Sequence, residues 1–312
     1  MTYNCTGCNT NCLIKDNGMK DLSIDELFEA AKNGSLPEDF NQWHLQNEDR
    51  NSIAHVFATH SVLPCTFTQW DMRNKFDYTV AHIASKYNTL PSNFNQWRIA
   101  YSDGWSVAHT AAKNDTLPSS FDSWDISDSK GTSVAHIAAK FNILPANFNQ
   151  WSLKDDSGWS VAHEAAEYNS LPVDFNQWSI ATNDGTTVAH IVATHRSLPT
   201  DFNQWELKEI DDETVAHTCA IYSHLPANFD KWDLSYNNGC TVAHLAARRG
   251  TLPADFNQWG LKDITGWTVA HEMAESNTLP DTFDQWHLSD KRGLTVLQLL
   301  VSKGKIVIKR VT

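Results

Sequence analysis

The sequence predicts an all-α solenoid of stacked short helix pairs joined by turns, about ten repeats with capping ends. Three observations predict it. Histidine recurs every 27 residues, at His55, His82, His109, His136, His163, His190, His217, His244 and His271. Ten prolines from Pro37 to Pro280 and ten tryptophans from Trp43 to Trp286 keep the same interval without an insertion or deletion. A hydroxyl residue stands three places before each of these histidines, from Ser52 to Thr268. Such strict phase marks an array in which each unit buries its apolar face against identical neighbours.

The elements follow in order. S-I-D-E-L-F-E-A-A-K-N-G over residues 23–34 is a first, capping helix, with Ser23 and Glu26 spaced for a capping box and Phe28 where later repeats carry His. In each repeat the Ser or Thr is a helix N-cap. The Ala-rich run behind it, as in V-A-H-I-A-A-K-F over 134–141, predicts a helix of about eight residues whose small side chains admit a close neighbour. Six places after the His, Asn88, Asp115, Asn142, Asn169, Gly250 and Asn277 tolerate a left-handed stop. L-P-x-x-F-x-x-W then predicts a second helix of barely two turns, with Pro in its first turn and Phe and Trp on one face. An extended stretch returns the chain through a turn that holds Gly104, Gly131, Gly158, Gly185, Gly239, Gly266 or Gly293, with Asp77 and Asp212 as substitutes able to adopt positive φ. The last unit, T-V-L-Q-L-L-V over 295–301, places Gln298 in the His position. The predicted division is a Cys-containing tail over 1–20, one elongated array over 21–302 and a basic tail over 303–312, a closing strand or a mobile signal.

Neither short helix would be stable alone, because helix nucleation is costly. The Leu before Pro, the Phe, the Trp and a second Leu or Ile are the expected core of each unit, each worth about 1.5–3 kcal/mol if fully buried.

Composition narrows the function. With 37 acidic against 24 basic residues the net charge is −13, which repels a phosphate backbone and argues against nucleic acid. No apolar run approaches a membrane span and the N-terminus lacks a signal-peptide core, so a cytoplasmic location is expected. Cys65, Cys219 and Cys240 occupy three different repeat positions and form no ladder, as in a reducing compartment. Cys5, Cys8 and Cys12 could offer three thiolates to a metal, with no evident fourth ligand; a Cys-rich tail without metal is the other reading. No cofactor is expected.

The segment T-V-A-H-L-A-A-R-R-G over 241–250 resembles the ankyrin pattern T-P-L-H-x-A-A-x-x-G, and the agreement recurs along nearly the whole chain. Ankyrin repeats have a period of about 33, so these shortened units are ankyrin-like, with Val in place of Pro and a reduced second helix. The resemblance implies that the His bonds backbone near the preceding turn, a structural role. Geometry agrees, because histidines one repeat apart cannot share a zinc ion. No G-x-S-x-G, P-loop or H-E-x-x-H occurs, and His163-Glu164 and His271-Glu272 lack the second His of that last motif, so no enzyme activity is expected.

The resemblance also implies that partners are held by turn residues beside the Gly and by the exposed end of the first helix. Those positions are rich in rings: Tyr78, Trp105, Trp159 and Trp267 after the turn, and Tyr87, Phe141, Tyr168, His195 and Tyr222 at the helix end. They would form an aromatic stripe on a concave face, unless some of the rings cover neighbouring repeats. The expected function is a non-catalytic scaffold, a monomer binding another protein of basic or mixed surface charge. The resemblance further implies an effector secreted into a host cell cytosol. The alternative is a structural or self-assembling array.

Overall fold

The computed structural model describes residues 22–37 and 39–305, so the Cys5, Cys8 and Cys12 group and most of the basic tail lie outside the described residues. Contacts divide the chain into two compact units, one ending at Tyr101 and one beginning at Ser102. The first holds α1 (Ile24–Lys32), α2 (Ile53–Phe57) and α3 (Val80–Lys86). The second holds α4 (Val107–Lys113), α5 (Val134–Lys140), α6 (Val161–Glu167), α7 (Val188–His195), α8 (Val215–Tyr222), α9 (Val242–Arg249), α10 (Val269–Ser276) and α11 (Val296–Ser302). Within each unit every helix packs on the next in sequence, a repeated, solenoid-like helical architecture. Among the described residues there is no β-strand; isolated antiparallel bridges such as Lys154 to Ser160 close the turn ahead of each cap.

The caps and stops lie where the sequence places them. Ser106 Oγ accepts the His109 N–H at 3.3 Å, and the equivalent bond recurs in the helices from α2 onward except α8, in α11 with Gln298 as donor. Asn88, Asp115, Asn142, Asn169, Gly250 and Asn277 all adopt positive φ, and so does Ser223; Arg196 is extended instead. Asp77 and Asp212 take positive φ in the turn, as the glycines do. Gly104 is needed there for a second reason: a Cβ would sit 2.6 Å from the Ser129 nitrogen in the next turn, whose N–H donates to the Asp103 carbonyl at 2.9 Å.

The predicted helix pair is corrected to one helix per repeat. L-P-x-x-F-x-x-W folds as tight turns, with the Phe148 N–H donating to the Pro145 carbonyl at 2.9 Å and Leu153 N–H to Gln150 at 3.2 Å. Eight residues rich in Asn and Asp give too little helix propensity to pay for nucleation. The rings instead hold the turn. Phe148 meets Trp151 edge to face at 4.9 Å, and Trp151 meets Phe175 of the next repeat at 5.5 Å. In the second unit this zipper runs unbroken from Phe121 to Trp286. In the first it runs from Phe40 to Trp97. Each such contact contributes about 0.5–1.5 kcal/mol beyond area burial. Val and Ala of the V-A-H segment are fully buried, so the core lies between helix faces and zipper.

Candidate functional site

The His ladder is built into the fold from both ring nitrogens. Ser160 N–H donates to His163 Nδ1 at 3.2 Å and the Ser160 hydroxyl lies 2.7 Å from the same nitrogen. Nδ1 is therefore an acceptor and the proton resides on Nε2, which donates to the Thr186 carbonyl at 3.0 Å, 23 residues ahead. His55, His109, His136, His244 and His271 bond the carbonyls of Tyr78, Thr132, Trp159, Trp267 and Leu294 in the same way. The bond to the preceding turn that the resemblance implies is present, and a second bond joins each of these six histidines to the following repeat. His190 and His217 form no such bond at Nε2, although the Glu213 and Cys240 carbonyls lie on that side and favour the proton. Burial holds eight imidazoles of the ladder below their ordinary pKa, and pushes His190 and His217 down to about 4. Among the described residues no group of three or more His, Cys, Asp or Glu is placed to hold a metal.

A second ladder escaped the sequence reading. At the residue eight before the ladder position, Asn47, Asn74, Asp128, Asp155, Asp263 and Asp290 turn Oδ1 onto two turn amides; Asp155 accepts from Ser157 at 3.0 Å and Trp159 at 2.9 Å. Tyr101 and Tyr236 replace the Asx residue in two repeats and stack on His82 and His217 at 3.9 and 4.1 Å. There Asp103 and Asn238, two residues later, accept the turn amides of Trp105 and Cys240. The signal was available as a recurrent Asx at one phase of the repeat.

The predicted stripe separates into three groups. Trp105, Trp159 and Trp267 are half-buried and tilt over the imidazole of their own repeat, 5.0 Å from His109, 5.1 Å from His163 and 4.8 Å from His271. Their indole N–H groups donate five residues ahead, to Thr110 at 3.0 Å, Glu164 at 2.9 Å and Glu272 at 3.1 Å. These rings shield the ladder, and Trp267 also packs against the core cluster that holds Val296 and Leu299 of the next repeat. Glu164 and Glu272, which follow their ladder His as in an incomplete H-E-x-x-H motif, are the carboxylates that fix Trp159 and Trp267.

Phe141, Tyr168, His195 and Tyr222 form the second group, at the C-terminal ends of α5, α6, α7 and α8. The three aromatic members are 45–50% exposed. Because these helices pack in succession, they supply one exposed ring per repeat. His195 Nε2 lies 2.9 Å from Glu167, and Lys140 Nζ stands 4.7 Å over the Tyr168 ring.

In the first unit Tyr78 and Tyr87, both about half exposed, come together with Val56, Ile83, His60 and Lys86 around a groove of about 470 Å³. Such an open, apolar-walled depression is the size of a small ligand site and of a side-chain pocket in a protein interface.

Compared with known proteins, the sequence matches no family model and no curated protein.

Proposed function

We propose that the chain is a non-catalytic, ankyrin-like scaffold that binds another protein through the helix ends of α5 to α8. One observation carries this reading. Phe141, Tyr168 and Tyr222 stay close to half exposed at one phase of the repeat, with His195 between the last two, whereas the zipper rings and the turn tryptophans are engaged within the fold. Large rings left in water at a fixed spacing are the composition of interface anchors. The net charge of −13 favours a partner of basic or mixed surface, through faster encounter. The ankyrin-like part is supported by the T-V-A-H-L-A-A-R-R-G pattern and by the cap and His it positions; the same resemblance supports an effector role in a host cell cytosol.

The test compares the native chain with a Phe141→Ser, Tyr168→Ser, Tyr222→Ser variant. An identified partner captured from cell lysate should bind the native chain and lose at least about tenfold in affinity for the variant, with unchanged circular dichroism. Equal affinities would refute the reading. A change in solution size of the native chain on making the variant, without a change in partner binding, would favour self-assembly.

A further inference from the structure

The residue after the ladder His is apolar or Thr in seven repeats, Val56, Ile83, Thr110, Ile137, Ile191, Thr218 and Leu245, and Glu in two, Glu164 and Glu272. Both Glu repeats carry Trp behind the turn glycine, Trp159 and Trp267. The indole N–H in each case pins one carboxylate oxygen, Oε2, and leaves Oε1 for another donor. Each pair thus combines a fixed, partly buried anion with an aromatic ring.

At the second pair the carboxylate already holds a guanidinium. Arg248, on the preceding helix α9, donates its Nε–H to Glu272 Oε1 at 2.7 Å, and the Glu272 side chain is only 13% exposed. At the first pair the residue in the register of Arg248 is Lys140. Its ammonium stands over Tyr168 and, among the described residues, no cation forms an ion pair with Glu164. Burial raises the Glu164 carboxyl above its ordinary value, and Lys140 tempers it from a distance. The two pairs share a fold position and differ in whether a guanidinium is bound from within.

We propose that Trp159 and Glu164 form a subsite for an arginine side chain of a partner protein's basic segment, bordered by Tyr168 one helical turn further along the same face. A guanidinium offers paired N–H donors to a carboxylate and a flat cation to an indole, a match that an ammonium lacks. The subsite deepens the protein-binding reading and rests on it, since Tyr168 belongs to both. It also agrees with the chain's negative charge, which draws a basic segment toward it.

The test uses the full chain and a nine-residue Gly/Ser peptide with a single arginine, beside its citrulline counterpart of the same shape and no charge. The readout is the indole N–H resonance of Trp159, assigned with Trp159→Phe. The arginine peptide should shift that resonance and leave that of Trp267 in place, with the citrulline peptide at least about tenfold weaker. Glu164→Gln, which keeps an acceptor for the indole, should abolish the difference between the peptides. Arg248→Ala should vacate the second pair, so that Trp267 also responds. Equal shifts from the two peptides, an unmoved Trp159 resonance or an unaffected Glu164→Gln variant would each overturn the subsite. A Phe141→Ser, Tyr222→Ser variant that still loses an identified partner would leave the wider reading standing in that event.

Discussion

His136 Nε2 lies 3.1 Å from the carbonyl oxygen of Trp159, 23 residues further along the chain, and ties helix α5 to the turn that opens α6. The same ring accepts the N–H of Ser133 at its other nitrogen, so one neutral imidazole closes its own cap and grips the next repeat.

Acid should loosen the array. Eight ladder histidines have folded pKa values below the ordinary one, so the unfolded chain binds more protons between the two values. Their stabilisation is complete above about pH 6.5 and is lost as the pH falls toward the folded value, about 4 for His190 and His217. At pH 5 each of those two should cost roughly 2 kcal/mol. Glu164 and Glu209, raised by burial, act in the opposite sense over a lower range. Urea titrations at pH 7.5 and pH 5 should show a large drop in midpoint at the lower pH; unchanged midpoints would remove the ladder's charge argument.

Replacing the ladder His should separate its two bonds. His163→Leu leaves the Ser160 N–H and the Thr186 carbonyl without their ring partner and should cost about 3 kcal/mol. His163→Gln should cost about half as much. Gln298 shows that a carboxamide keeps the cap bond, since its Oε1 accepts the Thr295 N–H at 2.9 Å in the last helix. Chemical denaturation of both variants decides it, and equal losses would contradict the division.

The aromatic zipper should be the costliest place to cut. Trp151→Ala removes edge-to-face contacts to Phe148 and Phe175 together and should destabilise by about 3–5 kcal/mol. Hydrogen exchange should quicken first at the turns around residues 145–151 and 172–178. An exchange pattern that changed only in distant repeats would argue that the zipper does not couple neighbours.

Two glycines at nearly the same φ isolate packing from backbone strain. Gly104 and Gly293 have φ of +84° and +85°, yet a Cβ on Gly104 would meet the Ser129 nitrogen at 2.6 Å and one on Gly293 meets nothing within 4 Å. Gly293→Ala should cost only the left-handed penalty, about 1–2 kcal/mol. Gly104→Ala should cost a further 1 kcal/mol or more, roughly, by displacing the next turn. Thermal melts of the two single variants provide the comparison.

The Glu164 relationship shows where sequence reading stopped. G-W-S-V-A-H-E over 158–164 carries both members of the Trp159 and Glu164 pair, yet a spacing of five has no fixed meaning across a turn and a helix start. Only the ring's tilt over His163 brings the indole N–H to the carboxylate. The exposed position of Phe141, Tyr168 and Tyr222 was legible because a helix end eight residues behind its cap must leave the first turn's shelter. Their separation from Trp105, Trp159 and Trp267 was not, since both sets look alike as rings at variable positions.

The sequence by itself determined the period, the hydroxyl caps, the left-handed stops at Asn88 to Asn277 and the turn glycines. Each of these depends on a backbone dihedral or on groups three residues apart, and such local demands are written in residue type. The tertiary structure decided that L-P-x-x-F-x-x-W is a turn and not a helix, that six of the ladder histidines from His55 to His271 reach a carbonyl 23 residues away, and which rings face water. Those outcomes depend on how far one repeat is displaced from the next, a distance set by Ala-lined helix faces and interlocked Phe and Trp rings together, and held in no single repeat.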